Sequence, residues 1–501
     1  LKKIPDSSID IIVTDPAYSG MNNHLKLGKG RIVGKYKDKG EKGKWFEEFV
    51  DTEENYSIFL SECFRVLKEK SHIYIMFDSY SLISLGSLVR KYFPVKNIIV
   101  WDKAINHQIF DEWGNAWIDF TSSIFVTNSG HANKQVLKRM YECLSKPLLH
   151  SYYYPTRIRA QFLKKLIAMT PKNLEKAILL SVGTEATERA IKISRIYGGT
   201  LSNKKNIIVG GDGNYHGKTL GAQMIGGQHN DKHWIGYTDP NMCHLPFPFP
   251  WVLEEFDGNG RDLFFHHLDG LKENGVNLNK IAAFFVESFQ GWGAIFYPVD
   301  YINAMREWSK DNHSLLVFDE IQAGFGRTGK FFAYEHYDVE PDLVICGKGI
   351  SGSVPLSAVL GSAKLIELDS GYTSTHGGNP LACAAGLGNL ESFESLELVK
   401  EANRKEKIMK DIIFSWKEKY PSRIGRILGG GLLFGVFITK ENSEELDADL
   451  TNYICERAME KGVFSICTGR GTLKIGPPLT IPDDALIEGL KVYEECFEEL
   501  F

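Results

Sequence analysis

Apolar and polar positions change rhythm along the chain, and each rhythm predicts a different kind of element. Near the start, "IDIIVTDPAY" reads as a buried strand, "EENYSIFLSECFRVLKEK" as an amphipathic helix and "HIYIMF" as a strand. "SLISLGSLVRKYF" and "VKNIIVW" then read as a helix and a strand, so the opening stretch is a short alternating α/β unit. Residues 26–44 interrupt it with eight Lys or Arg, two acids and five glycines, the composition of a solvated loop or of a phosphate-gripping arm. After "WDKAINHQ" the pattern changes. "IFDEWGNAWIDFTSSIFVTNSGHANKQVLKRM" predicts strands and turns leading into a helix. From residue 150 to about 365, helical and β-rich runs alternate, which predicts a doubly wound, mostly parallel sheet with helices on both faces. From about 385 to 501, long helices, the glycine turn "GGGLLFGVFI" and "TLKIGPPLTI" predict a smaller α+β domain. The expected division is therefore 1–104, 105–150, 151–384 and 385–501.

Composition narrows the classes. With 43% hydrophobic residues the 501-residue chain can bury large cores, and a net charge of −5 gives no general attraction to nucleic acid or anionic membrane. The eight cysteines show neither CxxC nor zinc-ligand spacing, which suits reduced thiols and predicts a cytoplasmic protein without a bound metal. No apolar run reaches about 18 residues. The opening "LKKIPDSSID" has charges and a proline where a signal peptide would have its apolar region.

Asp15, Pro16, Ala17 and Tyr18, at the end of the first strand, resemble the DPPY motif of DNA amino-methyltransferases. In that chemistry an acid and a backbone carbonyl hold an exocyclic amine while the aromatic ring stacks on a flipped base. Ala17 replaces the second proline, the resemblance ends near residue 104, and no FxGxG loop follows a strand to bind S-adenosylmethionine. An inactive methyltransferase-like fragment, partly Rossmann-like in fold, is expected there.

Four strand ends further on supply complementary chemistry. In "AILLSVGTEATERAIKISRIYG", Gly183 lets the backbone come close and Thr184 opens a helix; this is either an ordinary cap or a seat for a phosphate. In "IIVGGDGNYHGKTLGA", Tyr215 and His216 stand among glycines, as in a turn with a packed tyrosine or in the cover of a flat ligand ring. "SLLVFDEIQAGFGRTG" ends a buried strand on Asp319, an acid that needs a cationic partner such as a protonated ring nitrogen, with Gln322 nearby for another ring substituent. Gly324, Gly326 and Gly329 spell GxGxxG, but no clear helix follows them, which argues against a dinucleotide site. In "DLVICGKGISGSVPLSAVLGS", Lys348 is either a solvated strand-end charge or an amine that its flanking glycines let reach a bound carbonyl carbon to form a Schiff base. Together a phosphate seat, a ring cover, an acid and a reachable lysine describe pyridoxal phosphate.

These motifs, with "VESFQG" and "TSTHGGNPLACAA", resemble in family order those of the class III, or ω-amino-acid, aminotransferases of pyridoxal-phosphate fold type I, over about 109–501. The resemblance implies that Lys348 carries the cofactor, that Asp319 faces the pyridine nitrogen and that Gln322 lies near the ring hydroxyl. Tyr215 would stack on the ring, with His216 and Glu287 beside the cofactor and Gly183 and Thr184 cradling the phosphate. Thr375 would reach the phosphate of a neighbouring subunit in a homodimer with shared sites. An amine donor and a 2-oxo acid acceptor would react in turn, with ping-pong kinetics. Two departures bear on the substrate. Lys474 stands where many members have a carboxylate-gripping arginine, which keeps the charge without the planar two-pronged grip, and Leu428 replaces another arginine. Glu287 is expected to contact Lys474. A lyase on the same scaffold and a nucleic-acid methyltransferase are the rival readings.

Overall fold

The computed structural model describes residues 4–14, 53–75, 103–111, 115–150 and 153–501, which fall into two compact units, 1–101 and 102–501. In the first unit, strand Ile9–Thr14 pairs in parallel with strand Leu67–Ile75, with helix Glu53–Val66 in the crossover between them. The helix buries Tyr56, Leu60 and Cys63, the i, i+4, i+7 stripe of an amphipathic helix. It was expected to run on through Lys70 but stops at Val66, because from Leu67 the backbone is paired with the first strand. Asp15 to Tyr18, the basic segment 26–44, and the helix and strand expected before residue 101 lie outside the described residues.

The second unit is built on a seven-stranded sheet: β1 (Lys176–Leu180), β2 (Ile207–Gly211), β3 (Met242–Leu245), β4 (Ile281–Glu287), β5 (Leu315–Asp319), β6 (Leu343–Cys346) and β7 (Ser357–Gly361). Their spatial order is β1-β7-β6-β5-β4-β2-β3, and β7 alone runs against the others. The near-continuous apolar text of β4 and β5 follows from this topology, since a parallel strand covered on both faces has no solvated side. Alternate residues separate between two cores, except that the neighbours Ala282 and Ala283 share one. Phe284, Leu316, Phe318 and Val344 join one, with Leu263, Phe264, Ile302 and Met305 from the helices Gly260–Glu273 and Val299–Asp311. Ala283, Phe285, Val317 and Ile345 join the other, with Ala186, Ala190 and Ile193 of helix Gly183–Thr200.

A second sheet is antiparallel, made of Ile424–Gly430, Leu433–Ile438, Thr472–Ile475 and Ile466–Cys467, with the long helices Leu398–Lys419, Ala448–Glu460 and Asp483–Leu500 in the same region. The strand Ala116–Asp119 pairs in parallel with Val463–Phe464, so the segment after residue 105 is tied into this C-terminal region rather than standing apart. The expected α/β class, with an α+β region after it, is the class observed. Among the described residues no helix is long and apolar enough to cross a membrane.

Candidate active site

The parallel strands β4, β5 and β6 end in register: Asp319 is paired with Glu287 on one side and with Ile345 on the other. Lys348 follows Ile345 by three residues, in a short 3₁₀ turn with φ of +42°. A left-handed lysine is costly, and such strain persists only where the surroundings impose it. Burial pushes the Lys348 amine below its ordinary pKa, while the nearby Asp319 and Glu287 carboxylates oppose that shift.

Each acid has a defined partner. Asp319 is buried; its Oδ1 accepts from the Ile321 amide at 2.9 Å and its Oδ2 from His216 Nδ1 at 2.8 Å. His216 is buried too, and its Nε2 has no partner. Glu287 is driven up to about 7, mainly by burial, with His216 pulling down and Asp319 pushing up; its Oε2 accepts from the Tyr215 amide at 2.9 Å.

Lys474 is buried, and its amine donates to Gln322 Oε1 at 2.8 Å and to the Gly291 carbonyl, 4.4 Å from the centre of the Phe125 ring. Burial lowers its pKa to about 7, helped by the like charges of Lys348 and Arg327 and opposed by Glu287. The expected contact with Glu287 is therefore corrected: the two feel each other's charge, but the ammonium is taken by a side-chain amide and a backbone carbonyl, and no ion pair forms.

The glycines set the space. A Cβ on Gly183 would meet Ile321 Cδ1 at 2.8 Å, and one on Gly347 would lie 3.4 Å from the Gly183 Cα, so the helix start and the lysine turn share one floor. Gly217, at φ +127°, leaves room for the Thr184 side chain; a Cβ there would meet Thr184 Oγ1 at 2.3 Å. Thr184 Oγ1 lies 2.7 Å from Thr219 Oγ1, which donates to Glu188 Oε1 at 2.6 Å. Tyr215 is 44% exposed and Val182 47% exposed, unusual for large apolar groups beside a buried acid and lysine. Thr375 is exposed, on the loop before helix Pro380–Ser395.

The structure thus brings Gly183, Thr184, Tyr215, His216, Glu287, Asp319, Gln322 and Lys348 around the ends of the central strands, and leaves Thr375 on the surface. Sequence reasoning missed three neighbours. Glu320 points away from Asp319, and its carboxylate accepts from the Ala333 and Tyr334 amides at 2.9 and 2.8 Å and from Ser288 Oγ. Arg327 is fully buried and donates to the Leu432 and Pro477 carbonyls, Ser122 Oγ and Asn128 Oδ1. Glu188 orients the hydroxyls of Thr219 and, through it, Thr184. The signal for Glu320 and Arg327 was present, a charge inside apolar text, but their partners are mostly backbone groups.

The residues fit pyridoxal phosphate. An uncapped helix start with glycine-cleared space can hold its phosphate, an acid buried at a strand end can face its ring nitrogen, and a buried amine three residues from that level can meet its aldehyde.

The profile described as "Aminotransferase class-III" matches residues 92–497, and the chain belongs to that family. Class III aminotransferases depend on pyridoxal phosphate and pass an amino group from an amine donor to a 2-oxo acid acceptor, and the chain is an aminotransferase of this class. It is 32% identical over 394 residues to a 4-aminobutyrate aminotransferase of Mycobacterium tuberculosis, covering 76% of this chain and 86% of the relative. It is 31% identical over 417 residues to a leucine/methionine racemase of Thermococcus litoralis, covering 80% and 91%. In fold it is similar to taurine:2-oxoglutarate aminotransferase from Bifidobacterium kashiwanohense, with a TM-score of 0.73, 24% identity and coverage of 85% of this chain and 98% of that one.

Proposed function

We propose that this aminotransferase takes the amino group of an ω-amino acid or primary amine, and that Lys348 is the amine that carries its cofactor. The observation that supports this most is the alignment of strand ends, with Asp319 paired to Ile345 three residues before Lys348. The bound cofactor supplies an electron sink for the charge left when the substrate's C–H bond breaks. Asp319 is the counter-charge to the ring nitrogen, and His216 holds that carboxylate by donating its Nδ1–H to Oδ2. Gly183 and Thr184 present backbone amides to the phosphate, Tyr215 covers the ring, and Gln322 lies near the ring hydroxyl.

Lys348 Nζ would hold the proton taken from the substrate carbon; its lowered pKa favours the neutral, basic form this needs. Lys474, which feels the Glu287 charge, is the group for a substrate carboxylate. Donor names among the relatives and neighbours, 4-aminobutyrate and taurine, are both ω-amino compounds, in keeping with this assignment.

We further propose a homodimer, in which Thr375 reaches the phosphate of a second copy and that copy covers the exposed Val182 and Tyr215. A cytoplasmic site is in keeping with the free thiols of the seven cysteines whose side chains are described. A racemase relative makes racemisation the second reading. Offering the purified protein a panel of amines, with pyruvate or 2-oxoglutarate as acceptor, separates them. Transamination predicts that a donor alone shifts the visible absorption and that the acceptor restores it. Inversion of an α-amino acid without any acceptor would favour the racemase, and release of ammonia without one would favour a lyase.

A further inference from the structure

Away from the strand ends, a second group of side chains converges. Asp212 follows β2, His229 opens the 3₁₀ segment His229–Ile235, and His244 lies in β3. Each offers one ligand atom, and the three atoms lie within 4.8 Å of one another. His229 Nε2 is already 2.8 Å from Asp212 Oδ1, and the two imidazoles meet edge to face with centroids 5.0 Å apart. Two imidazoles and one carboxylate form an N₂O set that suits zinc and its first-row neighbours, with solvent free to complete the shell. Zinc–ligand bonds of about 2 Å require ligand atoms about 3.3 Å apart in a tetrahedron, so closing this group needs shifts of roughly an ångström or two. Nothing in the sequence showed it, because the ligands come from three separate segments with no motif spacing.

Further groups face the cluster. His244 Nε2 lies 3.1 Å from the Ile225 carbonyl, a contact its N–H makes only while this nitrogen is not a metal ligand. Lys232 Nζ donates to the Met224 carbonyl at 2.9 Å and lies 3.2 Å from the same His244 nitrogen, so a cationic side chain already stands beside the group. A metal ion entering here would have to displace that ammonium.

We propose that Asp212, His229 and His244 bind a divalent transition metal of the zinc type, in competition with the Lys232 ammonium. The ion would join β2, β3 and the segment between them. Asp212 precedes Tyr215 by three residues, so the ion would also anchor the loop that carries it.

The test uses the full-length holoenzyme without an affinity tag and Zn²⁺ alone as probe, with zinc per chain measured by equilibrium dialysis and elemental analysis. One zinc per chain is expected at micromolar free metal. His229→Ala and Asp212→Asn should each weaken binding by at least about tenfold, and Lys232→Met should tighten it about threefold to tenfold by removing a nearby positive charge. The His229 side chain is 58% exposed, so its replacement leaves the core intact, and retained cofactor absorption in each variant checks folding. Zinc bound equally well by the His229→Ala and Asp212→Asn variants would overturn the proposal. So would zinc lost on His150→Ala instead, since among the described residues His150 and His376 form another close imidazole pair, with ring centroids 5.2 Å apart.

Discussion

Replacing an arginine by Lys474 changes how the site can hold a negative charge. The guanidinium stays charged at any working pH, whereas burial brings Lys474 to about 7. Above that pH the free enzyme loses the proton that attracts a carboxylate, so the KM for 2-oxo acids should climb as pH rises from about 7 to 9. Lys474→Arg should flatten that climb and lower the KM at pH 8.5 by about threefold to tenfold, while an amine donor without a carboxylate keeps its KM. Steady-state kinetics at a series of pH values checks both. The identity of the residue was legible in "TLKIGPPL", but its partners were not: Glu287 was the visible candidate, and the amine chose Gln322 and the carbonyl of Gly291. A backbone carbonyl leaves no mark in the sequence, so pairing rules built on side chains pass it by. Asp319 shows the same limit in milder form. Its need for a partner was readable, while His216 on its second oxygen required the fold.

The loop after β5 depends on the acid beside Asp319. Glu320 holds the amides of Ala333 and Tyr334 and the Ser288 hydroxyl, and burial raises its pKa to about 8. Glu320→Gln keeps the shape but sets an NH₂ donor against one of these donors, which should cost about 1–3 kcal/mol in stability, read as a lower denaturation midpoint. The sign of the pH effect follows from linkage. Between about 4.5 and 8 the folded state holds the Glu320 proton that the unfolded state has released, so this residue's contribution to stability falls as pH rises through that window. Gln removes that contribution, and the gap between wild type and variant should narrow towards pH 8. The strands themselves were readable, since β4 and β5 carry the unbroken apolar text of buried parallel strands. The strand Ala116–Asp119 pairing with Val463–Phe464 was not, because nothing in either segment names a partner more than 300 residues away.

At the scale of the molecule, the described chain divides at 101, and the family match begins at 92. A chain starting at residue 92 should fold and bind the cofactor with unchanged visible absorption; loss of that absorption would tie the first unit to the enzyme. Sedimentation should give the mass of two chains, and Thr375→Val should weaken cofactor retention during dialysis without changing that mass. The central claim is that one particular amine, on the turn after β6, carries the cofactor. Borohydride reduction of the holoenzyme, followed by digestion and peptide mass spectrometry, tests it directly. The account predicts a phosphopyridoxyl group on the peptide containing Lys348 and none in Lys348→Ala; a label on Lys474 or on any other lysine, or no label at all, would contradict it.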